Sequence, residues 1–415
     1  MVVNMAEDGF RVFVGDVRTG VIDAYLPVVR ESLKWGQRLN AAGPIGVRVK
    51  AKSKEARHLD LRTITTTTKQ FLGVSYGETI LECGPILGRS YDIETESLEL
   101  SAVGIWSIFD RRKNVPGSAL LPGAVPAKSK IDIYRGHLGS IARELVRISI
   151  QDNPYGGDLP IILPANIPGT AHERHYKGYH LGWLGEDLRE LTKVEDGPDI
   201  RFRPRFASGV DNRVEWVMEH GKVDILQQAG PDWRWDASVS RSGVGKLGVD
   251  QDGSEVAAMT WAPGAGQEQA MKLRTAQYLA LVQAGYPWTE AERTSNNEES
   301  LTVLQRVANR GMADTSRPWD SWTMEVRADA DPKVGQYLPG DWAVVRTPDD
   351  HPVLAGGEMV RVRILAVDGG AGAAVKLAVA PIQGGDPSKA PALVSGSLYP
   401  AETLAPSETL YPSVG

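Results

Sequence analysis

Short runs of alternating apolar and polar residues recur along most of the chain, and glycines and prolines separate them. This alternation is typical of β-strands, because successive side chains of a strand point to opposite faces of its sheet. Residues 10–27 predict a hairpin, and 67–110 predict about four strands. Residues 320–382 predict a small antiparallel sheet or barrel. The pattern therefore indicates a mainly β fold.

Helical periodicity is confined to a few segments. Apolar residues recur at helical spacing in three of them, which are 137–151, 183–193 and 267–284. A fourth helix is predicted from a capping box, because Ser295 is followed three residues later by Glu298. We expect that helix to end at Gly311. These helices predict α/β insertions within the β fold.

Composition and charge narrow the function classes. The 415 residues suggest two or three domains, and 42% hydrophobic and 24% charged residues are ordinary globular values. The net charge of −6 gives no basic field that would attract nucleic acid to the whole protein. The start of the chain shows no signal peptide pattern, and no run approaches the roughly 18 apolar residues of a membrane span.

Cys83 is the only cysteine, so neither an intrachain disulfide nor a cysteine-based zinc site is possible. It lies in the strand-like run TILECG and is expected to be a small buried side chain. A chain that forms no internal disulfide is expected in a reducing cytoplasm.

The stretch 233–248, WRWDASVSRSGVGKLG, ends in a G-x-G-x-x-G pattern at Gly243, Gly245 and Gly248. A dinucleotide-binding loop needs a strand before this pattern and a helix after it. Here the pattern leads to a second turn at 250–253 and then to a strand-like run. We therefore predict a hairpin loop in which glycine supplies positive φ, and no cofactor.

The turn DQDGSE at 250–255 resembles the start of a calcium-binding loop only superficially. Such a loop requires Glu at its twelfth position, which is Trp261 here. A turn without a bound metal is predicted.

Histidines and carboxylates do not form a catalytic or metal-binding pattern. His172, His175 and His180 cluster, but HERH is one residue shorter than the zinc motif H-E-x-x-H. Asp187 and Glu190 lie three residues apart on a predicted helix, which is common on solvated faces. We predict no catalytic, cofactor-binding or metal-ligating residue, and no enzyme activity.

Tryptophans and a basic stripe leave more than one interpretation open. Eleven tryptophans, among them Trp233, Trp235, Trp319 and Trp322, are expected mainly in cores, although exposed ones could stack on sugars or anchor a protein interface. The basic stripe comprises Arg48, Lys50, Lys52 and Lys54. Solvation or protection of a sheet edge is favoured for it over phosphate contact.

The chain changes character beyond Gln383, where it becomes rich in Pro and Ser. PAETL at 400–404 is repeated as PSETL at 406–410, which is too short for a repeat architecture. We expect a partner chain to hold this tail.

Several segments together resemble minor tail proteins of long-tailed actinobacterial phages. They are FRVFVGDVRTGVIDAYLPV, GIWSIFDRR, HLGSIARELV, GYHLGWLGEDLRELTKVEDGPDIRFRPRF and DWRWDASVS. The order of these segments and their residue pattern resemble the family up to about residue 382. The resemblance implies a baseplate hub, or tail-tip, protein that forms a homotrimer. Each chain of such a hub carries two tail-tube-like antiparallel β-barrel domains and smaller α+β domains.

The same resemblance implies a place and a set of partners. Such a hub joins the tail tube and the distal tail ring to the central fibre, gives passage to DNA, and belongs to virions assembled in the host cytoplasm. We expect six segments along the chain. They are an N-terminal tail-tube-like β domain at 1–135, completed by later strands, an α/β insertion at 136–200, a β-rich segment at 201–265, a helical segment at 266–318, a C-terminal small β-barrel at 319–382 and the Pro/Ser-rich tail at 383–415.

Two other function classes stay open. Tryptophans and scattered acidic residues would also suit a cell-wall or carbohydrate-active hydrolase. Exposed tryptophans would suit a receptor-binding module of the tail.

Overall fold

A computed structural model describes the chain except for residues 1–8, 168–171, 195–196, 211, 222–229, 231, 240–241, 267, 296–297, 317–318, 355 and 382–415. The described residues pack as two units. One consists of those within Met1–Asp250 and Asp320–Pro381, and the other of those within Gln251–Trp319. The finer division into six segments stays a prediction, and the tail from Gln383 onward lies outside the described residues.

Strands are the most frequent elements among the described residues. In chain order they are β1 (Phe10–Asp16), β2 (Ile22–Tyr25), β3 (Lys34–Arg38), β4 (Pro44–Lys50), β5 (Gln70–Tyr76), β6 (Thr79–Asp92), β7 (Ser97–Val103), β8 (Lys130–Gly136), β9 (Ile161–Ile162), β10 (His172–Lys177), β11 (Ile200–Phe206), β12 (Val214–His220), β13 (Trp233–Asp236), β14 (Val244–Asp252), β15 (Met259–Pro263), β16 (Leu273–Gln277), β17 (Glu290–Glu292), β18 (Trp319–Arg327), β19 (Trp342–Arg346), β20 (Met359–Gly370) and β21 (Ala374–Pro381).

The α-helices are fewer and several are short. They are α1 (Leu61–Ile64), α2 (Trp106–Phe109), α3 (Leu138–Gln151), α4 (Leu184–Lys193), α5 (Ala280–Gln283) and α6 (Leu301–Thr315). The predicted mainly β fold with α/β insertions is confirmed. Helices α3 and α4 confirm the predictions for 137–151 and 183–193.

One long, mostly antiparallel sheet dominates the first unit. Its strand order is β14-β18-β21-β20-β3-β4-β7-β6-β5-β1-β2, and β19 with β13 branches from β20. In the described part of the chain this path is open and does not close into a ring. The predicted hairpin at 10–27 is confirmed by β1 and β2, which pair antiparallel. Residues 67–110 hold three strands, not four, because β6 runs through fourteen residues without a turn.

Strands β6 and β20 join different parts of this sheet, because each changes partner along its length. The first half of β6 pairs with β5 and the second half with β7, and the register shifts between Ile86 and Gly88. On one side of β20, the residues up to Arg363 pair with β19 and those from Ala366 pair with β3. A register shift lies between Ile364 and Ala366. Such shifts bend a strand and increase its twist.

The strands predicted at 320–382 therefore exist as an antiparallel set, but they are not a separate barrel. Strands β18, β21 and β20 continue directly into β3 and β4. Their apolar side chains share one core with the N-terminal strands, in which Trp35, Val47, Trp322 and Val345 are all buried.

Trp35 is the largest side chain at the junction of β20 with β3. It is 2% exposed, and its Nε1 donates to the Gly370 carbonyl at 3.3 Å. Directly opposite on β20 is Gly369, where a Cβ would lie 2.5 Å from the Trp35 ring. The indole thus occupies the space that any larger residue at Gly369 would need.

The three-stranded sheet β16-β15-β17 and helix α6 form the second unit. Here the predicted start and end of the helix are both wrong. Helix α6 is capped by Ser300, whose Oγ accepts from the Val303 N–H at 3.4 Å, instead of by Ser295. The helix continues through Gly311 to Thr315. A Cβ at Gly311 would lie 2.8 Å from Thr260 Cγ2, so this glycine permits close packing on β15.

The helix predicted at 267–284 is also wrong. Most of its centre forms β16, and only the four residues of α5 are α-helical near its end. The pairs between β15 and β16 run from Met259 with Gln277 to Pro263 with Leu273. Long-range ladder hydrogen bonds and burial override a weak local periodicity in such cases.

We expect Gly369→Ala to destabilise the protein by about 1–3 kcal/mol, because the added methyl must displace the Trp35 ring. Thermal unfolding followed by tryptophan fluorescence measures the change. Gly372→Ala is the matched control, because a Cβ there meets no atom within 4 Å. Equal melting temperatures for the two variants would contradict the proposed packing.

Candidate binding cleft

The glycine pattern at 243–248 is not the loop of a hairpin, because Gly243 directly precedes β14 while Gly245 and Gly248 lie within it. Strand β13 before it pairs in parallel with β19, and β14 after it pairs with β18. None of Gly243, Gly245 and Gly248 has the positive φ that we expected. A Cβ at Gly243 would lie 2.7 Å from the Ala330 Cβ, so close packing explains this glycine instead. The prediction that the pattern leads to a strand and not to a helix is confirmed, since β14 and then β15 come next.

The turn predicted at 250–253 lies slightly later. Strand β14 continues to Asp252, whose Oδ1 accepts from the Ser254 N–H at 2.8 Å. The following strand, β15, starts at Met259.

The three clustered histidines do not converge. His172 and His175 belong to β10, while His180 lies in the short turn after it. His175 Nδ1 lies 2.9 Å from Asp132 Oδ1 on the neighbouring β8. No group of three or more His, Cys, Asp or Glu in the described ranges is arranged to hold a metal ion.

Asp187 and Glu190 have different surroundings, so the prediction of a solvated pair is half wrong. Glu190 is exposed and pairs with Lys193 at 2.7 Å. Asp187 accepts from the Asn114 amide at 2.7 Å. Burial raises the pKa of Asp187 to about 6. Its hydrogen bond with Asn114 connects α4 to the loop that follows α2.

Most of the tryptophans singled out in the sequence belong to the core. Trp235 packs edge-on against Tyr337 with ring centroids 5.3 Å apart, and Trp322 is buried. Trp233 is partly buried, and its Nε1 donates to Asp341 at 3.3 Å. The side chain of Trp319 lies outside the described residues.

The basic stripe on β4 forms ion pairs within the protein. Arg48 pairs with Glu99 at 2.7 Å, and Lys52 pairs with Glu96 at 2.6 Å. Lys50 donates to the Thr95 carbonyl at 2.9 Å. Since β4 lies between β3 and β7, edge protection is wrong, and the other predicted explanation, a solvated face, agrees with these intramolecular contacts.

A buried ionic network, which the sequence does not reveal, connects β11 and β12 with the loop before β19. Asp341 is 3% exposed and accepts from Arg201 Nη1 at 3.1 Å. Arg201 also pairs with Glu219 at 2.6 Å. In the same region the buried Arg363 pairs with Asp199. Every charge in this network has a partner, so removing one would leave another unpaired and buried.

Glu82 is a second buried acid, next to Cys83 on β6. Its Oε1 accepts from the Cys83 N–H at 3.0 Å, and a Cβ at Gly43 would lie 2.6 Å from its Oε2. Burial raises the pKa of Glu82 to about 8. Burial and the nearby Glu82 also raise the pKa of the Cys83 thiol, so this cysteine is a buried small side chain and not a reactive thiolate.

One concave surface of the first unit is a cleft of about 600 Å³. Cationic, hydroxyl and apolar side chains line it together. The charged ones are Asp16, Arg18, Lys69, Arg111, Arg112 and Asp158, and the apolar ones are Val17, Pro85, Leu87, Ile108 and Leu159. A cleft of this volume can hold a small ligand or a short segment of peptide. We call it the cationic cleft.

Loops around the β1–β2 turn and α2 position these side chains. Arg18 follows β1, and a Cβ at Gly156 would lie 2.8 Å from its Nη2, so the guanidinium rests on glycine backbone. Arg112 is held by the Ser149 carbonyl at 3.1 Å. No sequence motif connects these residues, because they come from five separate segments of the chain.

Comparison with known proteins defines the fold. No family model and no curated protein matches the sequence. Among solved structures, a tail protein from Neisseria meningitidis is similar with a TM-score of 0.54 and 12% identity, over 90% of this chain and 96% of that one. A prophage tail protein from Shewanella oneidensis gives 0.51 and 10%, over 92% and 99%. A prophage tail protein from Listeria monocytogenes gives 0.50 and 14%, over 89% and 94%. This chain therefore has the fold of phage tail proteins.

We expect Glu82→Gln to stabilise the protein at alkaline pH and to have little effect at pH 4. Folding raises the pKa of this carboxyl from 4.5 to about 8. Its ionisation therefore destabilises the folded state increasingly from about pH 4.5 upward and fully above about pH 8. The gain should be on the order of 5 kcal/mol at pH 9, measured by denaturant unfolding across the pH range.

The control is Glu78→Gln, because Glu78 is exposed in the turn before β6. A constant difference between wild type and Glu82→Gln at every pH would contradict a buried, protonated Glu82.

Proposed function

We propose that this chain is a structural protein of the phage virion and forms the hub of the tail tip. The observation that carries the proposal is the shared fold, because the likeness to three tail proteins spans about nine tenths of this chain and nearly all of theirs. The resemblance of the sequence to minor tail proteins of long-tailed actinobacterial phages supports the same role independently. We infer a mechanical role for the chain, without enzyme activity, bound cofactor or metal.

Homotrimer formation is part of the proposal, and the open sheet supports it. Strand β14 ends the sheet path in the described residues, and most of its side chains are exposed. The outer edge of such a strand presents unpaired N–H and C=O groups, which pair readily with another chain. A neighbouring subunit in a closed ring would cover this edge. The exposed Lys246 on β14 would limit unwanted edge-to-edge pairing of free subunits before assembly.

The proposed ring joins the tail tube and the distal tail ring to the central fibre and gives passage to DNA. The net charge of −6 is consistent with a channel through which DNA passes without being bound electrostatically. No helix in the described ranges has the length and apolar character needed to cross a membrane. Assembly in the host cytoplasm and incorporation into virions complete the proposal.

The role is tested by deleting the coding sequence from its phage and supplying the chain in trans. We expect the deletion to give particles without a complete tail tip, and the supplied chain to restore infectivity. Mass spectrometry of purified virions should detect the chain, and cryo-electron microscopy should place it as a trimer at the tip. Detection only as a soluble monomer, with normal virions after the deletion, would sink the proposal.

We also expect removal of residues 384–415 to leave the fold intact but to weaken assembly with neighbouring tail proteins. The reason is that every described strand ends at or before Pro381. Circular dichroism checks folding, and copurification with coexpressed neighbours checks assembly. Loss of soluble, folded protein on truncation would contradict the prediction that residues 384–415 serve assembly and not folding.

A further inference from the structure

Three cations of the cationic cleft have no partner within the described protein. Arg18, Lys69 and Arg111 are exposed, and their side chains make no ion pair or hydrogen bond with another described residue. Elsewhere in the first unit cationic side chains commonly pair with carboxylates, as Arg48 does with Glu99. Unpaired cations that converge on one concave surface of an acidic protein attract an anionic ligand.

The two carboxylates of the cleft offset only part of the charge of its four cations. Asp16 caps the β1–β2 turn, where its Oδ1 accepts from the Arg18 N–H at 3.0 Å and the Thr19 N–H at 2.9 Å. Asp158 faces the half-buried Arg112, whose guanidinium is also fixed by Ser149. The remaining positive charge therefore belongs to the exposed Arg18, Lys69 and Arg111.

The cleft is also apolar, which narrows the kind of anion. Leu87 is 39% exposed, and Pro85, Ile108 and Leu159 line the same surface. A phosphodiester backbone would leave these apolar groups without partners. A peptide can place carboxylates on the cations and aliphatic side chains on the apolar surface at the same time.

We propose that the cationic cleft binds an acidic segment of a partner protein, in which Glu or Asp alternates with aliphatic residues. Carboxylates of the segment pair with Arg18, Lys69 and Arg111, and a leucine-sized side chain packs on Leu87. Arg112 also lines the cleft, and its hydrogen bond to the Ser149 carbonyl fixes its guanidinium there.

The probe for the test is a labelled peptide, YPAETLAPSETL, which has the sequence of residues 399–410 and contains two Glu-Thr-Leu units. The protein used ends at Gln383, so that its own copy of this sequence does not compete. We expect fluorescence anisotropy to show binding that weakens with salt. Replacing both Glu of the peptide with Gln should weaken binding roughly tenfold or more.

Protein variants assign the binding to the cleft. Lys69→Glu combined with Arg111→Glu should reduce affinity for the peptide roughly tenfold or more, and a peptide with Lys in place of both Glu should regain binding to that variant. Lys376→Glu is the control, because Lys376 is an exposed lysine of β21 outside the cleft. Thermal melting shows whether each variant is folded.

Two results would overturn the proposal. One is equal peptide binding by wild type and by the Lys69 and Arg111 variant. The other is tighter binding of duplex DNA than of the peptide, lost in the same variant, which would make the cleft a phosphate site. Neither result bears on whether the chain occurs in virions.

Discussion

The fold depends on two strands that each change pairing partner along their length. Strand β6 connects β5 with β7, and β20 connects β19 with β3. Without these shared strands the N-terminal and C-terminal parts of the first unit would be separate small sheets. Where two partners meet on one strand, a small residue is needed wherever a large ring packs against the backbone. Gly369, which faces the Trp35 ring, is an example. The continuous core around Trp35 and Trp322 is a consequence of this pairing.

Buried charge is the second constraint on the first unit. Ionic groups inside a protein are costly unless each has a partner, and their geometry then restricts how the surrounding elements can pack. The network through Arg201 and Asp341 meets that condition, because each group contacts an opposite charge. Glu82 meets it differently, since its raised pKa keeps the carboxyl neutral at low and moderate pH. Both arrangements fix β11 and β6 relative to neighbouring loops of the same unit.

Local patterns in the sequence predict the elements whose stability is local. The hairpin of β1 and β2, helix α3 with its apolar face, and the alternation from Trp322 to Val326 all follow from side-chain periodicity. The prediction fails where distant pairing decides the outcome. Residues 273–277 become a strand because β15 offers a ladder, and Gly311 stays helical because β15 lies against it.

The same distinction explains why the candidate cleft cannot be found in the sequence. Its residues come from five segments, near 18, 69, 86, 111 and 158, and none of these segments carries a binding motif of its own. Only the junction of β1 and β5 with α2 brings them together. The sequence motif that attracts attention, at Gly243 to Gly248, instead borders and enters the outermost strand of the sheet.

An exposed strand edge and a charged cleft would serve assembly in different ways. Backbone pairing along β14 is short-ranged and nearly independent of side-chain identity, so it gives cohesion with limited choice of partner. Ion pairing in the cationic cleft acts over about a Debye length and depends on where the partner carries its charges. A protein that joins identical copies and also unlike neighbours benefits from separating these two kinds of contact. In the proposed hub, selection of the unlike partner would fall to the cleft, whose exposed cations lie outside the strands of the sheet.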